Sequence, residues 1–200
     1  MNDNFLIVDD ALPFSSFRYI KDYFENQYDS WSFNADSAYN PGEVDSALDQ
    51  YSFSGAPYID DRLEGGPYQK HESADMCIMA LLSVVDKVSF PTPTRLLRIR
   101  AGLHTASPTK VINNPHADRP DPHYAVLFYL HDTDGETIFY NHKEPPGANK
   151  AFTLKDVEQY EQIKIECKAN RMVFFDGKML HSSTRQTSPA RRIVLNYNYI

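Results

Sequence analysis

The chain has little cysteine and no run of apolar residues long enough to cross a bilayer. Only Cys77 and Cys167 occur among 200 residues, and their positions form neither a C-x-x-C nor any zinc-finger spacing. A disulfide framework is excluded, and a reducing compartment is the expected home. The richest apolar window, Met76 to Val85, falls well short of the ~20 residues of a transmembrane helix. The first ten residues carry acid where a signal peptide needs base, so a cytoplasmic protein is expected. Base is also in deficit: 20 Lys and Arg against 27 Asp and Glu give a formal charge of −7. That balance argues against nucleic-acid and anionic-membrane partners, although it leaves room for a local basic pocket. Internal repeats and low-complexity tracts are absent as well.

What is there reads as one domain of ordinary composition, with 42% hydrophobic and 24% charged residues. Phe5 to Val8 suggests a short strand. Ser15 or Ser16 is placed to cap a helix ending near Gln27, with Phe17, Ile20, Tyr23 and Phe24 at helical spacing. Residues 31–70, rich in Tyr, Asp, Gly and Pro, show no sustained period and predict a long loop with one or two strands. Glu72 to Val88 predicts a second helix, apolar nearly all round between Met76 and Val85 and hence buried against a broad surface such as a sheet. Beyond Pro93 the pattern changes to short runs punctuated by turns: Arg95 to Arg100, Tyr124 to Leu130, Thr137 to Tyr140, Ile163 to Cys167, Arg171 to Phe175 and Arg192 to Tyr199. Thr153 with Asp156 resembles a capping box opening a short helix over 154–162. The layout is α+β: N-terminal helical support and irregular loops over 1–90, laid on one face of an antiparallel double sheet over 91–200.

The chemistry-bearing candidate is His116-Ala117-Asp118. Two residues apart on an extended segment, imidazole and carboxylate point the same way and can reach one metal ion. Seven histidines and 18 aspartates in a chain this long yield roughly 0.6 such pairs by chance, so the dipeptide alone has no weight. A rival, His142-Lys143-Glu144, carries the same ligand types beside Pro145-Pro146-Gly147, where a solvated loop is the plainer reading. The first pair gains from its downstream neighbours. A strand ends in Tyr129-Leu130, a turn reads Gly135-Glu136-Thr137-Ile138-Phe139, and Phe175-Asp176-Gly177 leads to His181, with Arg191 and Arg192 opening the last strand. Two histidines and one carboxylate cap one face of an octahedron and leave positions open, a geometry suited to non-haem Fe(II). His104, His123 and His131 read as structural or surface groups, and Tyr39, Tyr51, Tyr58 and Tyr68 as loop anchors or substrate contacts.

In the order and spacing of these elements the chain resembles the Fe(II)- and 2-oxoglutarate-dependent oxygenases, in particular the prolyl-4-hydroxylase-like branch and its small phage-type members. The resemblance covers roughly residues 95–199, and the opening Val8-Asp9-Asp10-Ala11-Leu12-Pro13 is also similar. It implies a double-stranded β-helix (jelly roll) with N-terminal helices packed on the major sheet. It implies Fe(II) held by His116, Asp118 and His181, and 2-oxoglutarate as co-substrate with its distal carboxylate gripped by an arginine and by Tyr129. The implied activity is a dioxygenase that consumes O2, hydroxylates a peptidyl or free amino acid and releases succinate and CO2, with ascorbate as a reductant. Strand alternation chooses the arginine: Arg191 shares a face with Ile193, Leu195 and Tyr197, whereas Arg192 lies with Val194 and Asn196 toward a cavity. Two other classes stay open on the residues alone. A cupin-like metal- or ligand-binding module needs no co-substrate arginine, and a zinc hydrolase uses the same triad to activate water.

Overall fold

A computed structural model describes residues 5–34, 51–62, 65–145 and 152–200. Among these residues eleven strands and three helices run in the order β1 (Phe5–Val8), α1 (Phe14–Asn26), β2 (Ser32–Asn34), β3 (Ser52–Asp60), β4 (Tyr68–Lys70), α2 (Ala74–Val85), β5 (Leu96–Thr105), β6 (Tyr124–Tyr129), β7 (Glu136–Lys143), α3 (Leu154–Val157), β8 (Gln162–Glu166), β9 (Arg171–Asp176), β10 (Met179–Ser183) and β11 (Arg191–Tyr199). The major sheet is ordered β1-β9-β6-β11-β5-β3-β2, with β4 added to β3, and the minor sheet is β10-β7-β8. All pairings are antiparallel.

Period-two alternation sorts the side chains of the major sheet into two cores. Val126 and Phe128 of β6, Met172 and Phe174 of β9, and Ile193, Leu195, Tyr197 and Tyr199 of β11 turn toward the helices, where they meet Phe17, Ile20 and Phe24 of α1 and Cys77, Leu81 and Val84 of α2. The alternate residues Ala125, Leu127, Tyr129, Val173 and Phe175 face the minor sheet and pack on Phe139, Ile165 and Met179. A third cluster, including Tyr140, Val157 and Leu180, lets α3 cover the outside of the minor sheet. Each such fully buried large side chain contributes about 1.5–3 kcal/mol, which offsets the polar burial described below. The expected jelly roll, with its N-terminal helices on the major sheet, is the fold observed.

Several local expectations are corrected. Helix α1 begins two residues earlier than a Ser15 cap would place it: Pro13 is the N-cap, without a side-chain cap bond, and Ser15 and Ser16 lie inside the first turn. Helix α2 stops short of 72 and 88 at both ends, and it is not buried all round, because Met79 is 64% exposed and Leu82 lies on the same outer side. The Thr153/Asp156 capping box is present, but the helix it opens has only four residues. The described residues of the stretch 31–70 hold three strands against the one or two expected, and β3 is nine residues long. Its Ser-Phe-Ser-Gly-Ala-Pro sequence lacks apolar alternation, yet pairing with β5 holds it in the sheet, through a register shift between Gly55 and Tyr58 that accommodates Pro57. Strand β10 is likewise unannounced by its sequence and shifts register between Met179 and His181. Tyr39 lies outside the described residues.

Candidate metal centre and its cavity

His116 and His181 are brought together by backbone. An isolated antiparallel bridge joins them, with each N–H donating to the other's carbonyl at 2.9 Å. Their rings sit 4.6 Å apart between centroids. The Nδ1 of His181 lies 3.0 Å from the Met179 carbonyl and that of His116 3.3 Å from the Asn114 carbonyl. Those carbonyls can only accept, so each Nδ1 carries the proton and each Nε2 is left as a lone-pair ligand. Asp118 completes the group: one ligand atom from each of His116, Asp118 and His181 lies within 4.8 Å of the others, the only such group of three or more among the described residues. Burial by itself would raise the pKa of Asp118, yet the charges of His181, Arg98, His116 and His123 hold it well below the usual carboxylate range. Burial, with the neighbouring His181 as the next cause, depresses His116 to about 4. The site is thus an anionic carboxylate beside a neutral imidazole, the protonation states that a metal requires.

Asp118 is oriented by groups from two strands. Asn196 Nδ2 donates to its Oδ1 at 2.8 Å and Asn198 Nδ2 to its Oδ2 at 3.1 Å. Arg98 Nη2 stands 3.7 Å from Oδ1, while Arg98 Nε donates to the Asn198 side-chain oxygen. The loop that carries Asp118 is seated on Gly177, whose carbonyl accepts from the Asp118 N–H and whose N–H donates to the His123 carbonyl. A Cβ at Gly177 would clash with the His123 ring, so any other residue here must displace that side chain. His123 and His131 are structural, as expected. His104 is not: it lines the cavity, where burial, then Arg192, Arg185 and Arg100, push its pKa well below the ordinary value.

The cavity opens between the sheets and is lined by His116, His181, Thr137, Arg192, Arg100 and Asn196, among others. Arg192 is 2% exposed. Among the described residues its Nη1 donates to the Thr184 carbonyl and its Nη2 to Thr137 Oγ1, no acid pairs with it, and its Nε is buried without a partner. A buried guanidinium that lines a cavity and has no acid paired with it is a receptor for an oxyanion. Tyr129 is fully buried and reaches this place through Thr137, to whose Oγ1 its hydroxyl donates at 2.8 Å. Thr137 therefore accepts from both Tyr129 and Arg192 and keeps its own hydroxyl hydrogen for the cavity. Its residue type gives no signal in the sequence beyond its place in the Gly-Glu-Thr turn. Arg191 points the other way, 3.6 Å from Glu25 on α1. The side chains of the rival His142 and Glu144 bond to each other (3.1 Å), with His142 stacked on Tyr160, and join no ligand group among the described residues.

No protein-family model matches the chain, and no curated protein sequence does. Solved structures do match. The non-heme α-ketoglutarate-dependent epimerase SnoN from nogalamycin biosynthesis aligns with a TM-score of 0.62 at 16% identity, covering 99% of this chain and 78% of that one. SnoN has also been solved in complex with Fe3+, α-ketoglutarate and nogalamycin RO. A 2OG-Fe(II) oxygenase-family oxidoreductase from Burkholderia pseudomallei aligns at 0.64 with 11% identity over 99% of this chain and 85% of that one. The prolyl hydroxylase of Trichoplax adhaerens, solved with a peptide fragment of the hypoxia-inducible-factor oxygen-degradation domain, aligns at 0.58 with 14% identity over 100% and 84%. At these identities the likeness is one of backbone, and by it this chain has the double-stranded β-helix fold of the 2-oxoglutarate- and Fe(II)-dependent oxygenases.

Proposed function

We propose that the protein is a single-domain Fe(II)- and 2-oxoglutarate-dependent dioxygenase of the cytoplasm that hydroxylates a peptidyl or free amino acid. The observation that carries this reading is one cavity lined both by the two histidines of a His-Asp-His ligand group and by a buried Arg192 with no acid paired to it among the described residues. The donor set suits Fe(II), and the unfilled guanidinium suits the far carboxylate of 2-oxoglutarate. Two buried unpaired cysteines accord with a reducing compartment. Among the described residues no helix is long and apolar enough to cross a membrane.

Bound together, Fe(II) and 2-oxoglutarate would supply the O2 chemistry that converts the co-substrate to succinate and CO2 and hydroxylates a C–H bond. The chain's residues contribute position and field. His116 Nε2, His181 Nε2 and Asp118 would hold the metal; Asn196 and Asn198 fix the Asp118 carboxylate, and Arg98 with the neighbouring histidines keeps it ionised. Arg192 and the Thr137 hydroxyl fix the distal end of the co-substrate, and Tyr129 fixes Thr137. A zinc hydrolase or a passive metal-binding module has no use for a buried, acid-free arginine in the cavity, which favours the oxygenase.

Anaerobic calorimetry with Mn(II) in place of iron tests the reading. Saturable 2-oxoglutarate binding that requires the metal is expected, together with succinate formation when Fe(II), O2 and ascorbate are supplied. Absence of metal-dependent 2-oxoglutarate binding would sink the oxygenase in favour of the binding module.

A further inference from the structure

Beyond the co-substrate end, a second guanidinium faces the cavity with nothing to bind. Arg100 of β5 sits opposite Asn196 in the β5–β11 register, whereas Arg192 sits opposite His104. Four residues of strand separate the two arginine levels, about 13 Å at ~3.3 Å per residue. Asn196 is bonded to Asp118, so Arg100 stands at the level of the metal ligands and Arg192 lies well beyond them. A five-carbon dicarboxylate that reaches from the metal to Arg192 extends away from Arg100 and leaves it unused.

The two arginines of β5 differ in how they are engaged. Arg98, two residues earlier on the same face, is held by Asn198 and Asp118. Arg100 has no hydrogen bond or ion pair among the described residues. It borders both the metal cavity and an adjoining groove, whose walls are Ser30, Ser32, Ser54, Gln69 and Trp31 together with Arg98. No acid lines that groove among the described residues. Ser54 is further ordered by Asn34, whose Nδ2 donates to its hydroxyl oxygen at 2.9 Å. The groove thus offers hydroxyl and amide donors around one uncommitted positive charge, within reach of the metal face. The one opposite charge that acts on Arg100, that of Asp118, is bonded to Asn196 and Asn198 and makes no ion pair with it, so the desolvated guanidinium gains from an incoming oxyanion.

We infer that the prime substrate carries an oxyanion, a carboxylate or a phosphate, which pairs with Arg100 in this groove and so presents the rest of the molecule to the metal ligands. The inference rests on the co-substrate reading above for what occupies the Arg192 end. A free amino acid bound by its α-carboxylate meets the requirement, and an uncharged substrate does not.

The full chain, loaded with diamagnetic Zn(II) and 2-oxoglutarate to fill the other end, is titrated with sodium acetate or inorganic phosphate while the arginine Nε–H resonances are monitored by NMR. One saturating arginine perturbation is expected in the wild type. Its apparent Kd rises at least about tenfold in Arg100→Gln and stays within about threefold in Arg100→Lys, which keeps the charge and controls for folding. Saturation by acetate assigns a carboxylate and saturation by phosphate a phosphate ester. No saturable response to either anion, or an unchanged Kd in Arg100→Gln, overturns the inference. Failure to take up 2-oxoglutarate at all would instead count against the co-substrate reading, and the Gln-against-Lys contrast in unloaded protein would still report on Arg100.

Discussion

Arg191 and Arg192, adjacent in sequence, leave strand β11 in opposite directions: Arg191 reaches out to Glu25 with its side chain 46% exposed, and Arg192 is buried in the cavity beside Thr137. Ile193, Leu195 and Tyr197 occupy the helix-facing side and Val194 and Asn196 the cavity side, so the pleat alone separates the two guanidinia. Arg192→Ala is expected to weaken 2-oxoglutarate binding about 10- to 1000-fold, from charge-assisted bonds of ~1.5–3 kcal/mol each at 1.4 kcal/mol per decade. Arg191→Ala removes an exposed pair and is expected to leave that affinity within about threefold. Calorimetry on both Mn(II)-loaded variants decides; a larger loss at Arg191 would contradict the assignment.

The metal group makes a separate prediction. His181→Ala and Asp118→Ala each remove one of three ligands and are expected to abolish stoichiometric Co(II) binding, monitored by its visible absorption bands. His142→Ala is expected to bind like wild type, because His142 is committed to Glu144 and Tyr160 on the other side of the minor sheet's strand β7. Loss of binding in His142→Ala with retention in His181→Ala would transfer the site to the rival pair.

How far the site can be read from sequence depends on which physical signal carries each part. The pleat is strictly periodic, so the apolar alternation of β11 locates Arg192 without any coordinates. His116, Asp118 and His181 are legible because metal ligation restricts residue type. Thr137 and Arg100 escape because hydrogen bonding to a neighbour and lining a groove are tasks open to many residue types. Tyr129 is placed by sequence pattern, and only packing reveals that its hydroxyl is bonded to Thr137 while the Arg192 guanidinium lies over its ring. Strand β3 is hard to see for a related reason: its Ser52 lines the cavity and its Ser54 the adjoining groove, so no apolar stripe marks it. Helix α2 reads as more deeply buried than it is because composition reports hydrophobicity and not which side the sheet covers.

A pH dependence of stability arises from His131. The Ile193 N–H donates to its Nδ1 at 3.2 Å and its Nε2 lies 2.7 Å from Glu25, so the neutral ring accepts at one nitrogen and donates at the other. Burial lowers its pKa against the raising effect of Glu25, with Lys21 and Arg191 lowering it further. Below the ordinary value of about 6.5 the unfolded chain therefore takes up a proton that the fold resists, and stability present above that pH is lost as pH falls. In metal-free protein the urea midpoint is expected to drop between about pH 7.5 and about pH 5.5, and to drop less in His131→Asn, which keeps an acceptor for Ile193 but cannot be protonated. His104, His116 and His123, whose pKa values are also lowered mainly by burial, act equally in both proteins. An identical drop in the variant would remove His131 as a contributor.

The asparagine pair behind Asp118 provides the test of how much the surroundings of a ligand matter here. Asn196 and Asn198 alternate on the cavity face of β11, and their amides donate to the two different oxygens of one carboxylate. Asn198 Nδ2 also lies 3.2 Å from Asn196 Oδ1, and Asn198 Oδ1 accepts from Arg98 Nε, so the chain from Arg98 to Asp118 has a fixed direction of donation. That direction sets both amide orientations and leaves Asp118 unable to rotate without breaking two bonds. Removing either amide frees the carboxylate while leaving all three metal ligands in place. Asn196→Ala and Asn198→Ala are each expected to raise the Co(II) dissociation constant by about 10- to 100-fold, or ~1.4–2.7 kcal/mol. The affinity for 2-oxoglutarate at saturating metal should change far less, because Arg192 and Thr137 lie at the other end of the cavity. Wild-type Co(II) affinity in both variants would show that the backbone bridge between His116 and His181 suffices to build the site. A loss confined to Asn198→Ala would place the control in Arg98, whose side-chain hydrogen bond among the described residues runs through Asn198.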